Sequence, residues 1–268
     1  MPFSINDAIH GYRWMGLHAA EASTGNGEGC QWNKHEKYTV TKEELHDLFG
    51  KSFPIPDYTG DYDEKKVIFG DNLGAAKYLI TKDTICTEEK CYTSGVTSIS
   101  YTKFSVMSDS TFNMKCASTF TSGNTIDENV FKLNENELSR REIIDINWKT
   151  AEKDIKTPEC CSLKNFSSKC RNKVSYSNYI QEDLSDTCYF YRLISVTFNS
   201  FSGSIVLPVF KTQQVKFTCK ICQDLILNID EWCSLTERQF DNYQKQVMND
   251  LKKLIKNNKP IRLETSVN

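Results

Sequence analysis

The residues that could do chemistry by type and spacing are the cysteines, 11 in a chain of 268 residues. Cys160 and Cys161 are adjacent and stand nine residues ahead of Cys170, in a Ser/Lys/Asn-rich segment just beyond Pro158. Cys86 and Cys91 bracket the charged stretch Thr87-Glu88-Glu89-Lys90, and Cys30 follows a glycine-rich loop. Thiols in such polar settings oxidise when the surroundings allow, and an odd number forbids complete pairing within one chain. Neighbouring cysteines point apart in most backbones, so Cys160 and Cys161 suit different partners. The expectation is cross-linking, within or between copies, through Cys160, Cys161, Cys170, Cys86, Cys91 and Cys30. A second chemistry is zinc binding by Cys219-x-x-Cys222, with Cys233 or the Cys160 group completing four ligands. On a regular strand, however, Cys219 and Cys222 face opposite ways. The third is burial as small hydrophobes, which suits Cys116, Cys188 and Cys219 on the apolar faces of expected strands.

Catalytic signatures are missing. The sequence has no G-x-S-x-G, H-E-x-x-H or P-loop pattern, and Gly25 to Gly29 follows a helix rather than a strand, so it reads as a turn. A cysteine nucleophile would need His10, His18, His35 or His46 as its base, and no spacing nominates a pair. The acidic loop with Asp57, Asp61, Asp63 and Glu64 lacks the spacing of an EF-hand. Lys+Arg 33 against Asp+Glu 35 gives a formal charge of −2, which speaks against a nucleic-acid binder and permits self-association. No run approaches the length of a membrane span, and the start lacks the pattern of a secretory signal. The reading is therefore non-enzymatic, without cofactor, nucleic-acid partner or membrane.

Elements at both ends of the chain frame these residues. Residues 4–22 read as a helix opened by Ser4 and Asp7, and 23–38 as a loop. A short helix follows with the capping box Thr41-x-x-Glu44 and a stop at Gly50. Residues 54–64 read as an acidic connector. Period-2 alternation in "VTSISYTKFSV" and "TFNMKCASTF" predicts a hairpin turning at Ser108-Asp109-Ser110. Residues 137–156 read as a helix with Ile144, Trp148, Ala151 and Ile155 on one side. Strands are predicted over "TCYFYRLISVTFNSF" and "VKFTCKI", with Pro208 marking an edge or a bulge. The last helix, 234–257, opens at Ser234-x-x-Glu237 and carries the stripe Phe240, Tyr243, Val247, Leu251 and Leu254. The fold class is α+β, helices at both termini around a central, mostly antiparallel β region, in a single domain over 1–268. The two terminal helices are expected to exchange between subunits.

Residues 29–82 resemble profilin. "GCQWNKHEKYTVTKEELHDLF" is similar to the profilin Trp-bearing strand followed by a Thr- or Ser-capped helix, and "NLGAAKYLI" to the Gly-Lys-Tyr strand that comes next. That resemblance implies actin binding, with Tyr12 and Trp14 on an aromatic surface for poly-proline segments. By overall profile (size, near-neutral charge, cysteine richness, no export signal) the chain resembles a viral occlusion-body matrix protein, a polyhedrin of nudivirus type. The implied function is a self-assembling structural protein that forms a disulfide-stabilised crystalline lattice protecting virions. Its implied partners are further copies of itself and virions, and its place an inclusion in the host nucleus or cytoplasm. A profilin-like protein and a small zinc-stabilised interaction domain are the alternatives.

Overall fold

Helix α1 (Ile5–Ser23) starts where Ser4 Oγ accepts the Asp7 amide at 3.2 Å and donates to the Asp7 carboxylate at 2.9 Å, the expected N-terminal cap. A computed structural model of the chain describes residues 4–25, 28–69, 85–105, 107–122, 126–146, 188–199 and 203–257. The architecture is α+β. Helices stand at both ends, and six strands form one antiparallel sheet in chain order. The strands are β1 (Gly29–Thr39), β2 (Thr59–Phe69), β3 (Ile85–Ser94), β4 (Thr97–Phe104), β5 (Phe112–Ser122) and β6 (Cys188–Phe198). The remaining helices are α2 (Lys42–Phe49), α3 (Glu135–Arg140), α4 (Gly203–Leu227), α5 (Ile229–Trp232) and α6 (Glu237–Asn257).

The chain divides into two compact units. One comprises Met1–Met15, Phe120–Tyr191 and Phe201–Gln239, the other Gly16–Thr119, Arg192–Ser200 and Phe240–Asn268. In the second unit, α2 begins with the capping box read from the sequence. Thr41 accepts from the Glu44 amide, and the Glu44 carboxylate accepts from the Thr41 amide at 2.7 Å. Leu45 and Phe49 are buried, and the Phe49 ring meets Tyr92 and Tyr101 edge-on at 6.1 and 6.3 Å. Lys115 Nζ donates to the Phe49 carbonyl at 2.8 Å, satisfying a helix-end acceptor. Helix α2 therefore covers one face of the sheet, that of Tyr62, Tyr92 and Tyr101. In α6, Phe240, Val247 and Leu251 are buried, with Tyr243 and Leu254 partly so. That helix is capped two residues later than expected: Thr236 and Gln239 exchange the two bonds of the box.

In the first unit, the start of α1 packs against α4 and α5. Trp232 is 1% exposed and its indole N–H donates to the Leu225 carbonyl at 2.9 Å. Gly11 sits against both side chains: a Cβ there would lie 2.9 Å from Leu225 Cδ2 and 3.0 Å from the Trp232 ring. Neither buried neighbour has room to retreat, so Gly11→Val should cost about 1–3 kcal/mol by overpacking. Urea unfolding measures it, and an unchanged midpoint would show the contact to be looser than the structure has it.

Several sequence expectations change. "VKFTCKI" is helical within α4, not a strand, and Pro208 lies inside that helix. Seven residues of alternation fit either period. Buried Cys219, Cys222 and Ile226 follow the helical spacing, whereas Phe217, which a strand would have buried with Cys219, is 50% exposed. The helix expected over 137–156 stops at Arg140 in α3, and the chain runs on without regular structure to residue 146. Ile143, Ile144 and Ile146 make that stretch rich in β-branching. Its remainder lies outside the described residues. Residues 29–38 and 59–64, read as loop and connector, are strands.

Candidate functional site

The β2 stretch Asp61-Tyr62-Asp63-Glu64-Lys65-Lys66-Val67 alternates two sets of side chains, and the register of the sheet shows where each goes. On the face away from α2, Lys65 stands beside Trp32 on β1 and Glu89 on β3, and Glu89 beside Thr102 on β4 and then Met114 on β5. One step along, His35, Asp63, Cys91, Ser100 and Cys116 form a parallel row, and after it come Lys37, Asp61, Thr93, Ser98 and Ser118. Opposed residues share a face because strand side chains alternate with period two. A β-bulge between Trp32 and Lys34 keeps Trp32 and His35 on the same side. In the other direction the face turns apolar. Val67, Phe104 and Phe112 follow, with Phe104 and Phe112 rings 4.7 Å apart and Phe198 6.1 Å from Phe112.

This face is polar and yet withdrawn from solvent. Thr87, Thr102, Ser118, Cys30, Cys116 and Trp32 are all buried. Thr102 Oγ1 has no hydrogen-bond partner in the structure, in the same row as Lys65 and Glu89. A buried hydroxyl left without a partner costs about 1–3 kcal/mol, which a bound polar molecule would recover. Lys65 Nζ lies over the Trp32 ring, 4.8 Å from its centroid, a cation–π contact. Arg192 adds a second cation, its guanidinium 3.5 Å from Cys116 Sγ.

The charges are mutually dependent. Burial alone would lower the Lys65 pKa, but the carboxylates of Glu89 and Asp63 outweigh it and hold the ammonium well above the ordinary lysine value. Cys30 and Cys91 flank the same lysine. Burial pushes both thiols up to about 11, so they are neutral at pH 7 and add no charge. Burial likewise pushes Asp63 up. Hydrogen bonds from His35 Nδ1 (2.9 Å) and Trp32 Nε1 (3.0 Å), with the Lys65 charge, reverse that and hold it below the usual carboxylate range.

His35 ties this corner to α6. The Gln244 amide nitrogen is 3.2 Å from His35 Nε2, which accepts from it when the ring is neutral. The Asp63 hydrogen bond raises the His35 pKa against the effect of burial. A raised histidine pKa stabilises the fold fully below the unfolded value near pH 6.5 and loses that contribution as pH rises through the folded value. Asp63 has the opposite sense, its contribution vanishing in acid. The expected result is a small fall in stability, below about 1 kcal/mol since His35 is about one-third exposed, between roughly pH 6 and pH 8. Urea midpoints across that range test it. The trend should flatten in His35→Gln, and an equal slope in both proteins would remove His35 as the cause.

The residues singled out by sequence are scattered. Cys30 and Cys86 are buried thiols, Cys91 a partly buried one, and Cys160, Cys161 and Cys170 lie outside the described residues. Cys219 and Cys222 share one face of α4 as thiols, and Cys233 is disulfide-bonded. Among the described residues no three His, Cys, Asp or Glu side chains gather to hold a metal, and Cys233 is bonded to another sulfur rather than free to join Cys219 and Cys222; the Cys160 group lies outside the described residues. Lys65, Glu89, Trp32, Thr102 and Arg192 were missed. The available signal was the alternation of Asp61, Asp63, Lys65 and Val67, hidden in what reads as a charged connector.

A family model described as "Phosphatidylinositol transfer protein" matches residues 1–249. No curated protein matches the chain. The family match overturns the occlusion-body reading, and with it the crystalline lattice, the virions as partners and the exclusion of a membrane. It also overturns the profilin resemblance. The strand-then-capped-helix order of β1 and α2 is real, but it occurs here within a different family, and the segment Asn72–Ile80 lies outside the described residues. Transfer, not catalysis, is the activity in the family's description.

Proposed function

The chain belongs to the phosphatidylinositol transfer protein family, and from that membership we propose that it carries a phosphatidylinositol-class lipid, with the headgroup held on the sheet face around Lys65. A single observation carries this reading: a buried sheet face that is polar with a lysine at its centre and aromatic at one end, the same division of chemistry as a phospholipid. Lys65 supplies a charge-assisted hydrogen bond to a phosphate oxygen, with Arg192 on the same face. Asp63 and Glu89 accept hydrogen bonds from ring hydroxyls of an inositol, and Thr102, Ser100, Ser98 and Thr93 both donate and accept. Val67, Phe104, Phe112 and Phe198 provide apolar surface for the lipid beyond its phosphate.

Such a site carries its ligand without a reaction. It offers no activated nucleophile, because Cys30 and Cys91 are protonated at neutral pH. No described helix is long and apolar enough to cross a membrane. The test is movement of labelled phosphatidylinositol from donor to acceptor vesicles. Added protein should raise the rate in proportion to its concentration. Folded protein that leaves the spontaneous rate unchanged would refute carriage.

A further inference from the structure

The sheet face around Lys65 is balanced in charge before any cargo arrives. Among its described residues Lys37, Lys65 and Arg192 are the cations, and Asp61, Asp63 and Glu89 the carboxylates. Lys37 and Asp61 pair with each other at 2.7 Å. The phosphodiester of a phosphatidylinositol brings one more negative charge, which nothing in that set offsets. A zwitterionic headgroup, such as that of phosphatidylcholine, brings no net charge. The group on this face that can restore the balance is His35, because an imidazole changes its charge near neutral pH.

The placement of His35 couples it to the lysine. Its Nδ1 donates to Asp63 Oδ1 at 2.9 Å, the Trp32 indole N–H donates to the same oxygen at 3.0 Å, and Lys65 Nζ lies over the Trp32 ring. His35 and Lys65 thus stand in adjacent rows of one face, about 8 Å apart by strand geometry. The charged groups facing the imidazole are Asp63 and Asp61 on β2 and Lys37 on β1, with Cys91 beyond Asp63 on β3. From α6 the facing group is the neutral amide of Gln244, 3.2 Å from Nε2. That amide donates to a neutral ring and, turned over, accepts from a protonated one. Protonation therefore changes the charge and leaves the link to α6 in place.

We propose that His35 sets headgroup specificity in this carrier: its protonated ring favours an anionic headgroup over a zwitterionic one, so selection for phosphatidylinositol tightens as the pH falls. This rests on the carrier reading, and His35 is a positioning residue that acts through Asp63. The sign follows from linkage. An anion held at Lys65 stabilises the imidazolium, so binding takes up protons and strengthens below the pKa of His35. Lys65, Asp63, Cys30 and Cys91 keep their protonation states near neutrality, since their pKa values are displaced away from it. With an effective dielectric constant of about 20, and salt screening because His35 is about one-third exposed, the gain is about three- to tenfold.

Isothermal titration calorimetry of the full chain with short-chain, water-soluble phosphatidylinositol and phosphatidylcholine tests this between roughly pH 6 and pH 8. Wild type should bind the inositol lipid about three- to tenfold more tightly at the acid end. Phosphatidylcholine, bound tightly or not at all, should show no such change. Repeating the titration in buffers of different ionisation enthalpy should reveal uptake of part of a proton with phosphatidylinositol alone. His35→Gln should bind phosphatidylinositol with one affinity across the range and without that uptake. A wild type whose preference does not move with pH, or which binds phosphatidylinositol without taking up protons, overturns the proposal. So does a slope that persists in His35→Gln, and the wild-type proton count decides the matter if that variant fails to fold. Binding of neither lipid at any pH would refute the carrier reading itself, and the selectivity with it.

Discussion

Lys65→Met is expected to lower phosphatidylinositol transfer by roughly 10- to 100-fold, the range set by one hydrogen bond to a charged group at about 1.5–3 kcal/mol. The substitution keeps an apolar side chain of similar length beside Trp32 and removes the ammonium that lies over its ring. Arg192 then remains as the cation on that face, against the carboxylates of Asp63 and Glu89, so the loss of Lys65 is only partly offset. Stability should fall as well, because Glu89 loses the cation beside it, while Asp63 keeps His35 and Trp32. Transfer rates per folded molecule, with folding checked by urea unfolding, separate the two effects. Unchanged transfer would place the headgroup elsewhere.

Trp232→Ala carries the largest expected cost in stability, about 3–5 kcal/mol. The indole is 1% exposed, so its removal leaves a cavity that Gly11, lacking a side chain, cannot fill from α1. The Leu225 carbonyl also loses its indole donor. Against the 5–15 kcal/mol that usually holds a domain together, the loss takes a large part of the margin. Urea unfolding should show it plainly, and a loss below about 1 kcal/mol would mean that this contact is not the anchor of α1 against α4 and α5.

What the sequence made legible was local chemistry, and what it hid depended on register. The Thr41-x-x-Glu44 box announced α2 because both bonds lie within four residues. The α6 stripe was readable for the same reason, although Thr236 and Gln239 displaced Ser234 and Glu237 as its cap. Strands β1 and β2 were concealed by charge. Lys34, His35, Glu36 and Lys37 look like a solvated loop until cross-strand pairs such as His35 with Asp63 and Lys37 with Asp61 accommodate them. Lys65 could not be found from its neighbours in sequence, because Trp32 and Glu89 stand beside it on two other strands and Thr102 one strand further along the row. The α4 misreading has a different cause: "VKFTCKI" is too short for its period to choose between helix and strand, and the length that decides it comes from residues on both sides. Cysteine count does not separate buried thiols from bonded ones. Of the cross-link candidates, Cys30, Cys86 and Cys91 are thiols, while Cys160, Cys161 and Cys170 lie outside the described residues; Cys116 is the buried thiol its strand position predicted.

The central claim is that this protein holds a phosphatidylinositol by its headgroup at Lys65. Native mass spectrometry after incubation with phosphatidylinositol vesicles and removal of the vesicles tests it most directly. The account predicts a complex of a single phosphatidylinositol with each wild-type chain and an empty chain for Lys65→Met. Equal occupancy of both proteins, or an empty wild type, would contradict it.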